Sequence, residues 1–218
     1  MSQTTSSRRR FLKIAGLSLV AATAACSGLG YAATLAPVFP TTDLNLGKDN
    51  PMNKRILVTY ATRAGSTVEV AAAVGEVLAK RGFAVAVKPV KAKPSLDGYH
   101  AVVLGSAIRM GSWLPEIVNY IKQNQPALGA VPTAMFSVHM LNTGDDETSQ
   151  AARLAYTASL HQLLVPTGEA FFAGKMDYAQ LPLLDRLIAK AVEGATGASA
   201  GDRRDWNKIR GWTEGILA

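Results

Sequence analysis

Residues 59–68 read Thr-Tyr-Ala-Thr-Arg-Ala-Gly-Ser-Thr-Val. The apolar run Ile56-Leu57-Val58 leads in, and alanines and valines lead out, with no acid before Glu69. A short apolar run after a polar stretch predicts a buried strand at Arg55–Tyr60. Small apolar residues at helical spacing predict a helix over Thr67–Lys80, stopped at Lys80-Arg81-Gly82, basic residues followed by glycine. The quoted stretch is therefore the turn from a first strand into a first helix. Backbone N–H groups at a helix start lack intrahelical partners and carry partial positive charge, which suits an anion. Thr62, Ser66 and Thr67 add hydroxyl donors, and Gly65 allows close backbone approach. There is no lysine of the kind used by nucleotide-hydrolase phosphate loops, and the pattern is not G-x-G-x-x-G. A phosphate monoester held by hydroxyls and amides fits this turn. A hydroxyl-capped helix start with no ligand is the plainer alternative.

Outward from this turn, strands and helices alternate. Further strands are expected at Phe83–Val90, Ala101–Ser106, Val131–Val138 and Gly168–Phe172. Further helices are expected at Trp113–Asn124 (with Pro115 in the tolerant first turn), Asp145–Leu164, Leu181–Val192 and Asp205–Ile216. Near-continuous apolar strands separated by helices imply parallel crossovers and burial on both faces. The expected fold is α/β, a doubly wound five-stranded parallel sheet in the order 2-1-3-4-5 with helices on both faces. In such sheets ligands bind beyond the carboxyl ends of the strands, so the loops after the first, third and fourth strands matter most.

The run Val58-Thr59-Tyr60-Ala61-Thr62-Arg63-Ala64-Gly65-Ser66-Thr67, continued by Ala71 and Val74, resembles the phosphate-loop signature of the flavodoxins. Thr59 is the one departure, at a place where an apolar residue or tyrosine is usual. The resemblance implies FMN as cofactor, with Thr62, Arg63, Ala64, Gly65, Ser66 and Thr67 around its phosphate. The run Gly105-Ser106-Ala107-Ile108-Arg109-Met110-Gly111 is similar to a narrower family, the flavodoxin-like, menaquinone-dependent protoporphyrinogen oxidases. Phe136-Ser137-Val138, Phe171-Phe172-Ala173-Gly174 with Tyr178, Leu184-Asp185-Arg186-Leu187-Ile188 and Asp205-Trp206 extend the likeness through residues 54–218. It implies that Ser106, Ala107, Ile108, Arg109, Met110, Gly111, Val138 and His139 lie along the flavin ring, with Arg109 and His139 as catalytic candidates. A cation at Arg109 would stabilise a reduced, anionic ring, or bind an acidic substrate such as a porphyrin carboxylate. His139 would donate to the ring or serve proton transfer. Trp113 would cover the flavin, whereas Trp206 and Trp212 are expected to pack. The long segment Lys175–Arg204 reads either as a functional insert near the active face or as a helix covering a sheet edge.

Composition narrows the chemistry. The chain has 218 residues, 48% of them hydrophobic, and a net charge of +7. Residues 1–53 hold five basic and two acidic groups; residues 54–218 hold 18 and 14, a mildly basic +4. No block of basic residues is interleaved with aromatics, so nucleic acid is not an expected partner. The single cysteine, Cys26, excludes a disulfide or thiolate metal site in residues 54–218. His100, His139 and His161 do not have metal-ligand spacing, and no metal is expected. Redox chemistry would then need a bound organic cofactor.

The first fifty residues have a different character. Ser7-Arg8-Arg9-Arg10-Phe11-Leu12-Lys13 resembles the twin-arginine export motif, which serves proteins exported already folded. From Ile14 to Phe39 there are 26 residues without charge, more than the roughly 20 a helix needs to span a bilayer. Residues 1–39 are thus expected to be a signal peptide or a membrane anchor, with Thr23-Ala24-Ala25-Cys26 leaving lipidation at Cys26 open. Residues 40–53 read as a polar linker before a domain at 54–218. The whole implies an FMN-dependent oxidoreductase carrying electrons from a reduced substrate, with a porphyrinogen as one candidate, to a quinone or redox partner protein. It would be associated with the membrane, periplasmic or held at the outer face of the inner membrane. An exported, non-enzymatic electron carrier of flavodoxin type is the alternative.

Overall fold

The computed structural model describes residues 42–47, 49, 51–178, 183–196 and 200–217. The export motif, the uncharged stretch and Cys26 lie outside the described residues. Five parallel strands form the centre: β2 (Arg55–Ala61), β3 (Ala84–Pro89), β4 (Ala101–Arg109), β6 (Thr133–His139) and β7 (Gly168–Ala173). Their spatial order is β3-β2-β4-β6-β7, the expected 2-1-3-4-5. The fold is α/β and flavodoxin-like.

Two strands of the main sheet were not expected. β1 (Leu44–Leu46), inside the supposed linker, pairs antiparallel with the outer side of β3, Leu44 opposite Val87 and Leu46 opposite Val85. Its two leucines pack against the core cluster under the sheet, so three residues with alternating burial suffice to make an edge strand. β5 (Ser112–Trp113) folds back on β4 as a hairpin, with Ile108 opposite Trp113 and Arg109 opposite Ser112. The third strand therefore runs on to Arg109 instead of ending at Ser106.

Alternation within strands sorts the core into two halves. Ile56, Val58 and Tyr60 face one side of the sheet, where they meet Val70, Ala71, Val74 and Leu78 of α1 (Ser66–Lys80) and Ile209 of α6 (Trp206–Gly215). Leu57 and Ala61 face the other, with Ile117 and Ile121 of α2 (Pro115–Gln123), Trp113 and Leu114. A short α3 (Gln125–Gly129) follows α2. Asp205 caps α6 by accepting from the Lys208 N–H at 2.9 Å. Trp212 lies edge-on to Phe172 at 5.5 Å and to Phe136 at 6.2 Å, while Trp206 stacks under Arg204 at 4.6 Å. Both pack, as expected.

The helix expected over Asp145–Leu164 is shorter. α4 spans Glu147–Ala155, capped by Asp146, whose carboxylate accepts from Ser149 N–H at 2.9 Å. Beyond it the chain turns repeatedly, with i+3 bonds such as Leu160 N–H to Thr157 O. Tyr156, Leu160 and Leu164 are buried, and their spacing of four imitates a helical face. The segment 175–204 contains β8 (Lys175–Met176), α5 (Leu183–Thr196) and β9 (Gly201–Asp202). β8 and β9 pair antiparallel and close its base. No helix among the described residues is long and apolar enough to cross a membrane.

Candidate functional site

The register of the sheet brings the three loops to one edge. Ala61 pairs with Ser106, Ser106 with Ser137, and Ala107 with Val138. The chain leaves β2, β4 and β6 just beyond these positions. Gly174, beyond β7, completes the edge: its N–H donates to His139 O at 2.8 Å. A Cβ on Gly174 would sit 2.9 Å from Val138 Cγ1 and 3.2 Å from Ser66 Oγ. The start of α1 and the ends of β6 and β7 thus press together.

In the first loop, Gly65 has φ 82° and forms the N-cap of α1. This left-handed conformation costs glycine least and lets the chain swing into the helix. The Gly65 N–H donates to Thr62 Oγ1 at 3.1 Å, closing a small turn. No side chain caps α1. Thr67 is fully buried, and its Oγ1 has no hydrogen-bond partner. A buried hydroxyl without a partner costs about 1–3 kcal/mol. A helix start without a side-chain cap and an orphaned hydroxyl are both unmet demands that a phosphate oxygen would answer. The residues present therefore fit an FMN phosphate, with Thr62, Ala64, Gly65, Ser66 and Thr67 at the cradle. Arg63 is engaged elsewhere: its Nη1 and Nη2 form a fork with the Glu116 carboxylate, the Nη2–Oε2 bond being 2.9 Å.

The second loop is a tight hairpin. Met110 (φ 51°) and Gly111 (φ 73°) occupy its two central positions, the pair of positive φ values that a two-residue turn between twisted strands needs. Met110 is 97% exposed at the tip. Arg109, Ile108 and Ala107 are half-buried on the strand below. Ser106 is fully buried and structural: its Oγ donates to Ala107 O at 2.8 Å and accepts from Leu114 N–H at 3.1 Å. Trp113 is not a cover over the site. It is buried in the core, and its Nε1 donates to Ser137 Oγ at 2.8 Å. The hairpin turns its ring inward because β5 pairs with β4.

In the third loop Val138 is buried at the end of β6, and His139 follows it. The His139 Nδ1 lies 2.6 Å from Leu141 O, and its ring sits 5.8 Å from that of Tyr156. Nδ1 therefore carries the proton, leaving Nε2 as the acceptor. Burial pushes the imidazole pKa down, partly opposed by the Leu141 bond, and the positive charges of Arg153 and Lys208 push the same way as burial. The ring is held neutral near pH 7. Arg153 braces this loop by donating to Asn142 O and Gly144 O. Sequence reasoning did not single out Glu116, Arg153 or Arg204. Arg204 is 5% exposed and joins Glu69 of α1 at 2.7 Å and Asp202 at 2.6 Å. No local motif marks these residues, because each acts on a partner that is distant in sequence or set by a turn. Among the described residues no group of three or more His, Cys, Asp or Glu side chains is placed to hold a metal.

Comparison with known proteins agrees with this geometry. The flavodoxin domain model matches residues 57–201. Protoporphyrinogen IX dehydrogenase [quinone] of Escherichia coli (strain K12) is 24% identical over 170 residues, covering 74% of this chain and 94% of that protein. The protein of the same name from Leishmania major is 27% identical over 129 residues, 56% of each chain. Among solved structures, Fusobacterium nucleatum flavodoxin bound to flavin mononucleotide superposes with a TM-score of 0.41 at 15% identity. That match covers 55% of this chain and 70% of the other. With a domain model matched across most of its length and loops gathered at the carboxyl edge of a 2-1-3-4-5 sheet, the chain belongs to the flavodoxin domain family.

Proposed function

We propose that the chain is an FMN-dependent oxidoreductase that passes electrons from a reduced substrate to a quinone; the names of the two relatives above describe dehydrogenation linked to a quinone for those proteins. The observation that carries the reading is the buried, partnerless Thr67 hydroxyl at the uncapped start of α1. FMN, when bound, supplies the electron-transfer chemistry that the side chains lack. Thr62, Gly65, Ser66 and Thr67 hold its phosphate. The hairpin from Ala107 to Gly111 and the stretch Val138–His139 border its ring. Arg109 provides a cation there, and His139, neutral with Nε2 as acceptor, orients groups without adding charge.

The resemblance of Ser7–Lys13 to the twin-arginine export motif supports a site of action outside the cytoplasm, in the periplasm or at the outer face of the inner membrane. The uncharged stretch 14–39 is a means of membrane association close to a quinone pool. The same motif favours a second reading. Haem precursors are made inside the cell, so an exported domain meets a donor other than porphyrinogen, or acts as an electron carrier between proteins.

The full chain, purified and examined for a flavin visible spectrum, tests the reading. A colourless protein that takes up no added FMN overturns it. A yellow protein is then mixed with a reduced porphyrinogen and a menaquinone analogue. Turnover supports the quinone-linked enzyme, and fast exchange with a redox protein in the absence of turnover supports the carrier.

A further inference from the structure

Arg63 lies in the middle of the phosphate loop, yet its terminal nitrogens point across to α2. Nη1 and Nη2 form a fork on the Glu116 carboxylate, and Nη1 also donates to Thr62 O at 3.3 Å. Both side chains are mostly buried, 15% and 23% exposed. Glu116 sits in the first turn of α2, just after Pro115, where the helix start favours a carboxylate. That helix start is itself fixed, since Leu114 N–H donates to Ser106 Oγ and Trp113 Nε1 donates to Ser137 Oγ. Polar contacts therefore tie the first loop to Glu116 and tie Trp113 and Leu114 to β6 and β4, with only the backbone from Trp113 to Glu116 between them.

We propose that Glu116 is a positioning residue that holds Arg63 as a strut between the phosphate loop and the ring-side hairpin, so that the FMN phosphate is bound by hydroxyls and backbone amides with the guanidinium left on its carboxylate. This inference rests on the FMN reading above. A two-pronged arginine–carboxylate pair has directional strength that a lone charge lacks. Moving Arg63 onto a phosphate would strand Glu116 half-buried and unpaired, which is costly. The Glu116 pKa is lowered: burial would raise it, and the Arg63 bonds and charge, with the backbone N–H at the helix start and the charge of Lys91, together more than offset that.

The affinity of the full chain for FMN, followed by flavin fluorescence quenching, tests the strut. Wild type, Glu116→Gln, Arg63→Gln and the double variant are compared. The strut predicts that Glu116→Gln and Arg63→Gln each weaken FMN binding by roughly tenfold, and that the double variant is weakened to the same extent and no further. The double variant leaves no unpaired charge, so it reports even where a single variant folds poorly. Unchanged or tighter binding by Glu116→Gln, with loss in Arg63→Gln, shows that Arg63 is a phosphate ligand and overturns the strut. Wild-type affinity in the double variant overturns it as well. Absence of FMN binding by the wild type overturns the FMN reading, and this assignment with it.

Discussion

Thr67 separates stability from binding more sharply than any other residue in the cradle. Its hydroxyl is buried and satisfied by nothing in the protein, so Thr67→Val should leave the thermal midpoint unchanged or raise it. The same change should weaken FMN binding by roughly ten- to a hundredfold, since one hydrogen bond to a charged group contributes roughly 1.5–3 kcal/mol; titration of the apoprotein with FMN checks it. His139 makes a pH prediction. Its folded pKa is depressed, mainly by burial, so the unfolded chain takes up a proton first as pH falls. Its contribution to stability is constant above about pH 7 and declines below about 6.5, the ordinary imidazole value, until the folded pKa is passed. Denaturant midpoints between pH 5 and 8 should show that slope, and His139→Gln should flatten it. Gly105 tests packing. A Cβ there would lie 2.1 Å from Phe136 Cζ, so Gly105→Ala should cost about 1–3 kcal/mol in chemical denaturation. At this scale the turn from β2 into α1 was legible because hydroxyls, glycine and helix start are adjacent in sequence. The engagement of Arg63 with Glu116, 53 positions away, was not, because only the fold brings them together. The mismatch at Thr59 remains physically unexplained: it is buried in β2 with its own hydroxyl unpartnered.

Elements fared according to how much of their signal is local. The central strands were legible as apolar runs, since both faces of each are covered. α1 was legible from its period and its basic, glycine-marked end. The expected Asp145–Leu164 helix exceeded the real one because Tyr156, Leu160 and Leu164 are buried at helical spacing by successive turns. β5 was missed because two residues carry no period, and its pairing depends on positive φ at Met110 and Gly111. The excursion 175–204 is an element-scale unit with a clamp at its base. Arg203 N–H donates to Gly174 O at 3.1 Å, and Arg204 bonds Asp202 while reaching Glu69. The bond from Arg204 holds the Asp202 carboxyl down to about 2, so the clamp persists through ordinary pH. Replacing Arg204 with Gln should speed limited proteolysis within 175–202 on the order of fivefold, matching the ~1 kcal/mol of an ion pair whose carboxylates are about half exposed. Cleavage at unchanged rate would mean that β8 and β9 close the base unaided.

For the whole molecule, the sheet order and the division of the core followed from the alternation of strands and helices, because parallel neighbours joined by helical crossovers leave few topologies. The outer edge did not follow, because Leu44–Leu46 sits among polar residues and is recognised only by the register it keeps with β3. Shortening the chain probes that edge. Removing residues 1–41 should leave the stability of the folded body unchanged. Removing residues 1–47 should lower it by about 2 kcal/mol, the burial of two half-covered leucines, measured by urea denaturation. The direction of this small strand has a further consequence. Since β1 runs against its neighbours, Thr42 comes to the rim where the loops gather, and it exchanges hydrogen bonds with the Tyr60 hydroxyl, its N–H donating at 2.9 Å and its carbonyl accepting at 3.1 Å. A parallel strand would have put the same residue at the opposite rim, about 20 Å away. An attachment made through the first 41 residues would therefore bear on the rim where the loops gather, and the heading of the molecule relative to it would be set by three residues at the margin of the sheet.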